Sequence, residues 1–178
     1  MTTGPTTLMA LVAAGALLVC GGASVNTAAR AEAMTAQEAP HARNKRIIDA
    51  AFDRWAAGGS GFFDEVVAPD VVWTIEGSGP SAGTFKGREV FVERAVRPFT
   101  SRLSTTVRPV SRKVWADGDH VIIHWQGEGV ARDGAAYRNS YAWIFRMEGG
   151  KAVEVNAFLD LAPYDDVLRR IPPAGQGE

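Results

Sequence analysis

Two predicted strands carry side chains that could move a proton or hold an oxygen atom. His124 and Glu128 lie in "DHVIIHWQGEGV" (119–130), and Tyr141 lies in "AAYRNSYAWIFRMEGG" (135–150). An imidazole exchanges protons near neutral pH, a phenol donates a hydrogen bond to a carbonyl or enolate oxygen, and a desolvated carboxylate can act as a base. Together these three groups suit isomerisation or aldol-type cyclisation next to a carbonyl.

The same residues also have structural interpretations. His124 could be a core histidine whose hydrogen bonds are satisfied, and Tyr141 and Trp143 could be ordinary sheet packing. Asp160 precedes the predicted last helix, where an aspartate serves as N-cap, and we prefer that role for it to a catalytic one.

The turn at "RDGA" (132–135) decides which side chains of the two strands share a face. Asp-Gly favours a two-residue type I′ hairpin turn. This turn would pair polar residues of the first strand with inward residues of the second: His124 with Trp143, Gln126 with Tyr141, and Glu128 with Asn139.

The next turn, "MEGGK" (147–151), could hold two or three residues. A one-residue slip between these choices would move a whole strand to the other face of the sheet. We prefer three residues because that choice joins apolar partners, as in Trp143 with Val155 and Tyr141 with Ala157, and places Leu159 against Asn139.

One sheet face then combines polar groups with large apolar side chains, which predicts a pocket. The side chains predicted to bind its ligand are Trp55, Trp73, Gln126, Asn139, Trp143, Val155 and Leu159. The alternative is that helices cover this face and the polar residues lie at its wet rim. On the opposite face Val121, Ile123 and Trp125 would form an exposed apolar patch, which predicts a homodimer through the outer sheet face.

Periodicity and helix breakers predict the elements before this sheet. A first helix covers residues 42–59, with Ile48, Phe52 and Trp55 on one stripe. A second helix at 61–70 ends at Pro69.

A strand at 71–77, a loop at 78–87 and a third helix at 88–103 follow. The third helix carries Val90, Phe91 and Ala95 on one side, and Pro98 should end or bend it. Four more strands and a short last helix complete the chain, which indicates an α+β fold.

Composition excludes several classes of protein. The chain has 178 residues, a net charge of −1 and 46% hydrophobic residues, which suit one globular domain. It has no Lys/Arg cluster, so we expect no nucleic-acid binding. The single cysteine, Cys20, excludes an internal disulfide, and the histidines at 41, 120 and 124 lack metal-ligand spacing. We expect neither a metal nor a cofactor.

Residues 1–33 differ from the rest of the chain. The uncharged run "LMALVAAGALLVCGGASV" (8–25) resembles the apolar core of a signal peptide more than a membrane span, although no Lys or Arg precedes it. Either this segment is the leader of an exported protein, secreted or membrane-anchored, or translation starts at Met34 and the protein is cytoplasmic. Residues 34–41 would then be a linker, 42–169 the folded domain and 170–178 a flexible tail.

The order of elements, ending in "YRNSYAWIFRMEGGKAVEVNAFLDL" (137–161), resembles the SnoaL-like polyketide cyclase and limonene epoxide hydrolase branch of the nuclear transport factor 2 (NTF2-like) superfamily. The resemblance covers about residues 42–169. It implies a cystatin-like α+β cone, in which a curved antiparallel sheet wraps three helices around a deep apolar pocket, commonly in a homodimer. Many unrelated activities share this scaffold.

Carrying over the catalytic residues of that branch excludes one mechanism. The positions of the Asp–Arg–Asp relay of the epoxide hydrolases hold His124, Gln126 and Ala157, and those of its water-holding Tyr and Asn hold Trp73 and Ile75. We therefore do not expect that relay. The resemblance also places Tyr141 near the oxyanion-hole acid of the ketosteroid isomerases.

The sequence thus predicts a cofactor-free isomerase or cyclase that acts by acid–base chemistry on an apolar, carbonyl-bearing small molecule. Its predicted catalytic residues are His124, Tyr141 and Glu128. The alternative is a non-catalytic protein, exported or not, that binds an apolar ligand in the same pocket.

Overall fold

A computed structural model of the chain describes residues 1–2 and 39–173. The predicted leader, apart from residues 1–2, and the alternative start at Met34 lie outside the described residues. So do residues 34–38 of the predicted linker and 174–178 of the predicted tail.

Residues 39–173 form six strands and a set of helices. The helices before the first strand are α1 (Pro40–Ala56) and α2 (Phe62–Val66). The strands are β1 (Val67–Ile75), β2 (Gly83–Lys86), β3 (Leu103–Asp117), β4 (His120–Ala131), β5 (Ala136–Glu148) and β6 (Lys151–Leu159). Between β2 and β3 runs a helical segment made of α3 (Arg88–Phe91), a π-helical turn (Val92–Val96) and α4 (Arg97–Thr100), and α5 (Leu161–Arg170) follows β6.

The strands form one curved, unclosed sheet in the order β2-β1-β6-β5-β4-β3. Neighbouring strands are antiparallel except β1 and β6, which are parallel. The predicted α+β fold, a curved sheet packed on helices, is confirmed, and the parallel pair is a feature that was not predicted. None of the helices in the described part of the chain is long and apolar enough to cross a membrane.

Helix α1 packs one apolar stripe against the sheet. Ile48 and Phe52 are fully buried, and Trp55 on the next turn is half-buried, as their spacing predicts. The helix ends just before Gly58, whose φ of 107° is a conformation that favours glycine.

Residues 61–87 differ from the prediction in two ways. Helix α2 ends at Val66, and strand β1 begins directly after it and includes Pro69. The ladder between β1 and β6 is interrupted between Val67 and Val72, so the missing N–H of Pro69 leaves no sheet hydrogen bond unmade. The predicted loop at 78–87 contains the short edge strand β2.

The third predicted helix continues past Pro98 and ends at Thr100. A proline inside an α-helix lacks one N–H and clashes with the carbonyl four residues earlier. Here the wider π-helical turn directly precedes it, and Pro98 lies in the first turn of α4, where its N–H is not needed. Phe91 and Ala95 are buried as predicted, but Val90 is 40% exposed and lies off their face.

The β4–β5 hairpin has a three-residue turn, Arg132 to Gly134, in place of the predicted two-residue turn. The Gly134 N–H donates to the Ala131 carbonyl, and the Ala131 N–H donates to the Ala135 carbonyl. Gly134 has a φ of 86°, whereas no described non-glycine residue after Thr2 has a positive φ. A type I′ turn would require a positive φ at Asp133 as well, and the Asp133 carboxylate instead accepts from the Ala135 N–H at 3.1 Å.

This turn shifts the β4–β5 register by one residue and reverses the two faces of β4. The inward pairs are Val121 with Phe145, Ile123 with Trp143, and Trp125 with Tyr141. The predicted pairs of His124, Gln126 and Glu128 are therefore wrong, because these residues face outward opposite Ala142, Ser140 and Arg138. The predicted outer patch is also wrong, since Val121, Ile123 and Trp125 are 0%, 0% and 1% exposed.

The β5–β6 hairpin has a two-residue turn, and the predicted three-residue turn is wrong. Gly149 and Gly150 have φ values of 56° and 82°, as a type I′ turn requires. A bulge in the ladder adds a further shift, so Tyr141 pairs with Leu159 and Trp143 pairs with Ala157. The final register differs from the predicted one by two residues, which leaves Val155, Ala157 and Leu159 on their predicted face.

Candidate functional site

A cavity of about 400 Å³ lies between the inner face of the sheet and the helices. We call it the central cavity. Its wall is mainly apolar and rich in aromatic side chains, among them Trp55, Phe62, Trp73, Trp125, Tyr141 and Trp143. A cavity of this size, lined by apolar side chains with few polar groups, is typical of a small-molecule site.

Several residues predicted to bind a ligand lie in this wall. Trp55, Trp73, Trp143 and Leu159 line the central cavity, and so does Tyr141, which was predicted to be catalytic. Asn139 and Val155 also lie on the inner side of the sheet, but they are buried behind the wall and do not line the cavity.

His124, Gln126 and Glu128 do not reach the central cavity, so their predicted place in the pocket is wrong. The side chains of His124 and Gln126 lie 3.1 and 3.0 Å from the hydroxyl oxygen of Ser140 on the outer sheet face. Glu128 forms an exposed ion pair with Arg138 at 3.1 Å. The three predicted catalytic residues, His124, Tyr141 and Glu128, therefore do not share one site, because only Tyr141 lines the cavity.

Trp143 stands at the centre of the aromatic wall. Its ring centroid lies 5.2 Å from that of Trp73 and 4.9 Å from that of Trp125, both edge-to-face, and 6.2 Å from that of Trp55 in a stacked arrangement. Trp125 stacks on Tyr141 with centroids 3.9 Å apart. Such contacts between rigid rings fix the shape of the wall and favour a flat, apolar ligand.

A chain of buried polar groups leads away from Tyr141. Its phenolic oxygen lies 2.8 Å from that of Tyr137, and the Asn139 side-chain N–H donates to the Tyr137 oxygen at 2.8 Å. The Asn139 amide is itself fixed, because its oxygen accepts from the backbone N–H groups of Ser140 and Asp160, and its nitrogen donates to the Asp160 carbonyl. The orientation of the whole chain is thus set from the backbone.

This chain determines where the phenolic proton of Tyr141 points. Tyr137 is only 2% exposed and does not line the cavity, and among the described residues its only hydrogen-bond acceptor is the Tyr141 oxygen. A buried hydroxyl proton without an acceptor is costly, so Tyr137 must donate to Tyr141. The Tyr141 proton is then left without a protein acceptor and is available to a molecule in the central cavity.

Burial keeps this proton in place. Desolvation raises the pKa of Tyr141 far above its ordinary value, with a further contribution from Tyr137. Desolvation likewise raises the pKa of Tyr137 to about 12, although the hydrogen bond that its oxygen accepts from Asn139 partly offsets the rise. Tyr141 is therefore a neutral hydrogen-bond donor in the cavity and not a base.

Two further buried polar groups border the cavity. The Tyr164 hydroxyl of α5 donates to the Ala95 carbonyl at 2.9 Å and so holds the π-helical turn against α5. The indole N–H of Trp125 has no hydrogen-bond partner among the described residues and lies inside the aromatic wall.

Asp160 accepts from the Ala162 N–H at 3.0 Å, which confirms its predicted role as N-cap of the last helix.

We call the solvent-exposed part of the cavity lining the mouth, and it consists of Gly59, Ser60, Asp64, Thr106 and the partly buried Arg108. The Arg108 guanidinium donates to the backbone carbonyls of Trp55 and Gly59, at 3.1 and 2.7 Å, at the end of α1. Asp64 lies 3.4 Å from the Arg88 guanidinium, and its side chain is 83% exposed. No three His, Cys, Asp or Glu side chains of the described chain converge to hold a metal ion.

The sequence analysis missed Trp125, Tyr137 and Arg108. Trp125 was placed on the wrong face by the hairpin turn. Tyr137 lies four residues before Tyr141 and therefore on the same strand face, which is a signal that could have identified the tyrosine pair. Nothing in the sequence alone connects Arg108 to the end of α1.

Comparisons with known proteins agree with this architecture. A family model described as a SnoaL-like domain matches residues 48–155. No curated protein matches the sequence.

Solved structures of similar fold include an NTF2-like protein from Burkholderia xenovorans LB400 (17% identity, TM-score 0.55, 72% of this chain and 97% of that one). A protein with a cystatin-like fold from Xanthomonas campestris is 24% identical, with a TM-score of 0.58 over 70% of this chain and 96% of that one. TerC, co-crystallised with polyporic acid, is 18% identical, with a TM-score of 0.58 over 71% of this chain and 98% of that one. At these identities the likeness concerns the fold.

Proposed function

Because this chain belongs to the SnoaL-like family of the NTF2-like superfamily, we propose that it binds a flat, apolar small molecule in the central cavity through one hydrogen bond from Tyr141. The ligand would present an acceptor oxygen, such as a carbonyl, to that phenol. The co-crystal of TerC with polyporic acid supports a small-molecule role for a similar fold.

One observation carries the proposal: the Tyr141 proton has no acceptor among the described residues, although it lies in a mainly apolar cavity. An apolar ligand without an acceptor would bury this donor unpaired, at a cost of about 1–3 kcal/mol. A ligand oxygen at hydrogen-bond distance removes that cost. The cavity therefore favours carbonyl compounds over hydrocarbons of the same shape.

An isomerase or cyclase is the second candidate function, and the Tyr141 donor also favours it. A neutral phenol in an apolar cavity can stabilise the negative charge that develops on an enolate oxygen. His124 and Glu128 cannot supply the base, and Asp64 at the mouth is the only carboxylate among the described cavity-lining residues. Binding therefore has more support from the geometry than acid–base catalysis.

We still propose a homodimer through the outer sheet face, but the residues that would form the interface differ from those predicted. The inner position of Val121, Ile123 and Trp125 removes the original reason for it. The outer sheet face instead exposes Trp115 and Phe158 to 44% and 47%. Large apolar side chains at such exposure on one face support an interface.

The binding proposal is tested with two probes of matched shape, 2-acetylnaphthalene and 2-ethylnaphthalene, by isothermal titration calorimetry. We expect the protein to bind the ketone roughly tenfold more tightly than the hydrocarbon, which corresponds to about 1.4 kcal/mol for one hydrogen bond. Tyr141→Phe should remove this preference, because the ketone loses its hydrogen bond and the hydrocarbon no longer buries an unpaired donor.

The matched control is His124→Ala, which alters the outer face and should keep the preference for the ketone. Equal affinities of the two probes for the unmodified protein would contradict the proposed hydrogen bond. Native mass spectrometry of the purified protein would separately show the mass of any ligand that co-purifies.

A further inference from the structure

We propose that the ligand of the central cavity carries an anionic group, such as a carboxylate, and that Arg108 binds this group at the mouth. The inference rests on the proposed function, because it assigns a second polar contact to the same ligand. Tyr141 would bind the acceptor oxygen within the aromatic wall, and Arg108 would bind the charged end.

The Arg108 guanidinium is held in position before any ligand arrives. One of its terminal nitrogens donates to the Trp55 and Gly59 carbonyls, at 3.1 and 2.7 Å. A guanidinium has five N–H groups in a planar fork, so the other terminal nitrogen and the inner nitrogen keep their N–H groups for another partner. A cation fixed in this way loses little side-chain freedom on binding.

No acid of the described chain neutralises Arg108. Glu128 is its partner in the β3–β4 register, but the Glu128 carboxylate pairs with Arg138 at 3.1 Å on the outer face. Asp64 also lines the mouth, but it lies 3.4 Å from Arg88 and its side chain is 83% exposed. The cavity therefore has one fixed positive charge at its open end and no resident counter-charge on it.

Two hydroxyl groups at the mouth complement this charge. Ser60 and Thr106 line the cavity, and their side-chain hydroxyls make no hydrogen bond within the described part of the chain. Hydroxyls and a guanidinium together suit a carboxylate, which accepts several hydrogen bonds at once. A neutral end group would leave most of these donors to water.

The cavity thus selects an amphipathic acid with a flat apolar body. Charge-assisted hydrogen bonds to a guanidinium contribute more than neutral ones. Part of this gain is screened because the mouth is open to water. We therefore expect a preference for the acid over its ester of roughly tenfold, not more.

The test uses 6-acetyl-2-naphthoic acid and its methyl ester, which share the ketone and the ring system. Isothermal titration calorimetry at low salt should show that the unmodified protein binds the acid roughly tenfold more tightly than the ester. Arg108→Gln should abolish this preference, and Arg108→Lys should keep part of it, because a lysine retains the charge without the fork. Added salt should weaken binding of the acid and leave the ester unaffected.

The control is Arg138→Gln, which removes the same charge from the outer face and should preserve the preference. Arg108→Gln also removes two hydrogen bonds to α1, so ester affinity serves as the measure of an intact cavity in each variant. Equal affinities of acid and ester for the unmodified protein would overturn the inference, and so would an equal loss of preference in Arg138→Gln. If the ester binds through Tyr141 but the acid has no advantage, this inference fails and the proposed function stands; if neither probe binds, both fail.

Discussion

At the residue scale, the three tyrosines of the chain, Tyr137, Tyr141 and Tyr164, are all buried. Burial raises the pKa of each above its ordinary value, for Tyr137 to about 12. A phenol with a raised folded-state pKa contributes stability below the unfolded-state pKa of 10.0. That contribution is lost as the pH rises through the folded-state value.

We therefore expect the folded protein to show no tyrosinate absorbance at pH 10, where half of the tyrosines of the denatured chain are ionised. Above that pH, ionisation and unfolding should occur together. Spectrophotometric titration with and without guanidinium chloride, followed by circular dichroism, measures both. A tyrosine that ionises near pH 10 while the protein remains folded would contradict the buried chain from Tyr141 to Asn139.

Only some of the residues of the candidate site could be placed correctly from the sequence. Tyr141, Trp143 and Trp73 were placed correctly, because large aromatic side chains on a strand usually face the core. His124 was misplaced because the two-residue turn predicted at Asp-Gly set it opposite Trp143 on the inner face, and the register found is shifted by one residue. The simple alternation of β4, with polar residues outward and Val121, Ile123 and Trp125 inward, is the arrangement found.

At the element scale, the β4–β5 turn decides the chemistry of the pocket. Asp-Gly fits both a type I′ turn and a three-residue turn that ends in a left-handed glycine, and the two differ by one residue in register. The second is found here, with Gly134 at φ 86°. Sequence could predict that a hairpin forms but could not choose between these turns, because both use the same dipeptide.

The left-handed conformation of Gly134 in this turn predicts that its substitution destabilises the protein. Gly134→Ala should lower the free energy of unfolding by about 1 kcal/mol, because a Cβ disfavours the left-handed conformation. A Cβ at Gly134 would meet no atom within 4 Å, so the cost is conformational and not steric. Urea unfolding measures it. Gly134→Asn is the matched variant and should cost less, since asparagine tolerates this conformation; equal costs for both would count against the turn described.

Other elements depend on tertiary contacts that a local pattern does not contain. Strand β2 has four residues and exists through its pairing with β1. The π-helical turn before Pro98 is held by the Tyr164 hydroxyl from α5. The helix α1 and the strands β5 and β6, by contrast, have strong periodic patterns, and they were predicted at nearly the right positions.

At the scale of the whole molecule, the N-terminal segment stays a prediction. We propose that the mature protein lacks residues 1–33, either because a leader is removed on export or because translation starts at Met34. Intact-mass analysis of the protein from its native source measures whether residues 1–33 are present, and both routes leave Met34 as the first residue. A mature chain that retains Met1 would contradict the export proposal.

The outer sheet face provides the last prediction. Trp115 pairs with Ile122 across β3–β4, and Ile122 pairs with Ile144 across β4–β5. These outward side chains form an apolar row over three strands, and Phe158 of β6 lies on the same face with 47% exposure. Exposed rows of this kind usually mark an interface in a soluble protein.

We expect light scattering at micromolar concentration to give the mass of two chains. Ile122→Glu should shift the mass to that of one chain, because a dimer through this row would bury an unpaired carboxylate. Val90→Glu is the matched control: Val90 is 40% exposed on helix α3 and does not belong to the outer sheet face, and Ile122 is 36% exposed, so both variants place the same charge at a similarly exposed site. The control should remain a dimer. A one-chain mass for the unmodified protein would refute dimerisation, and a two-chain mass for Ile122→Glu would place the interface elsewhere.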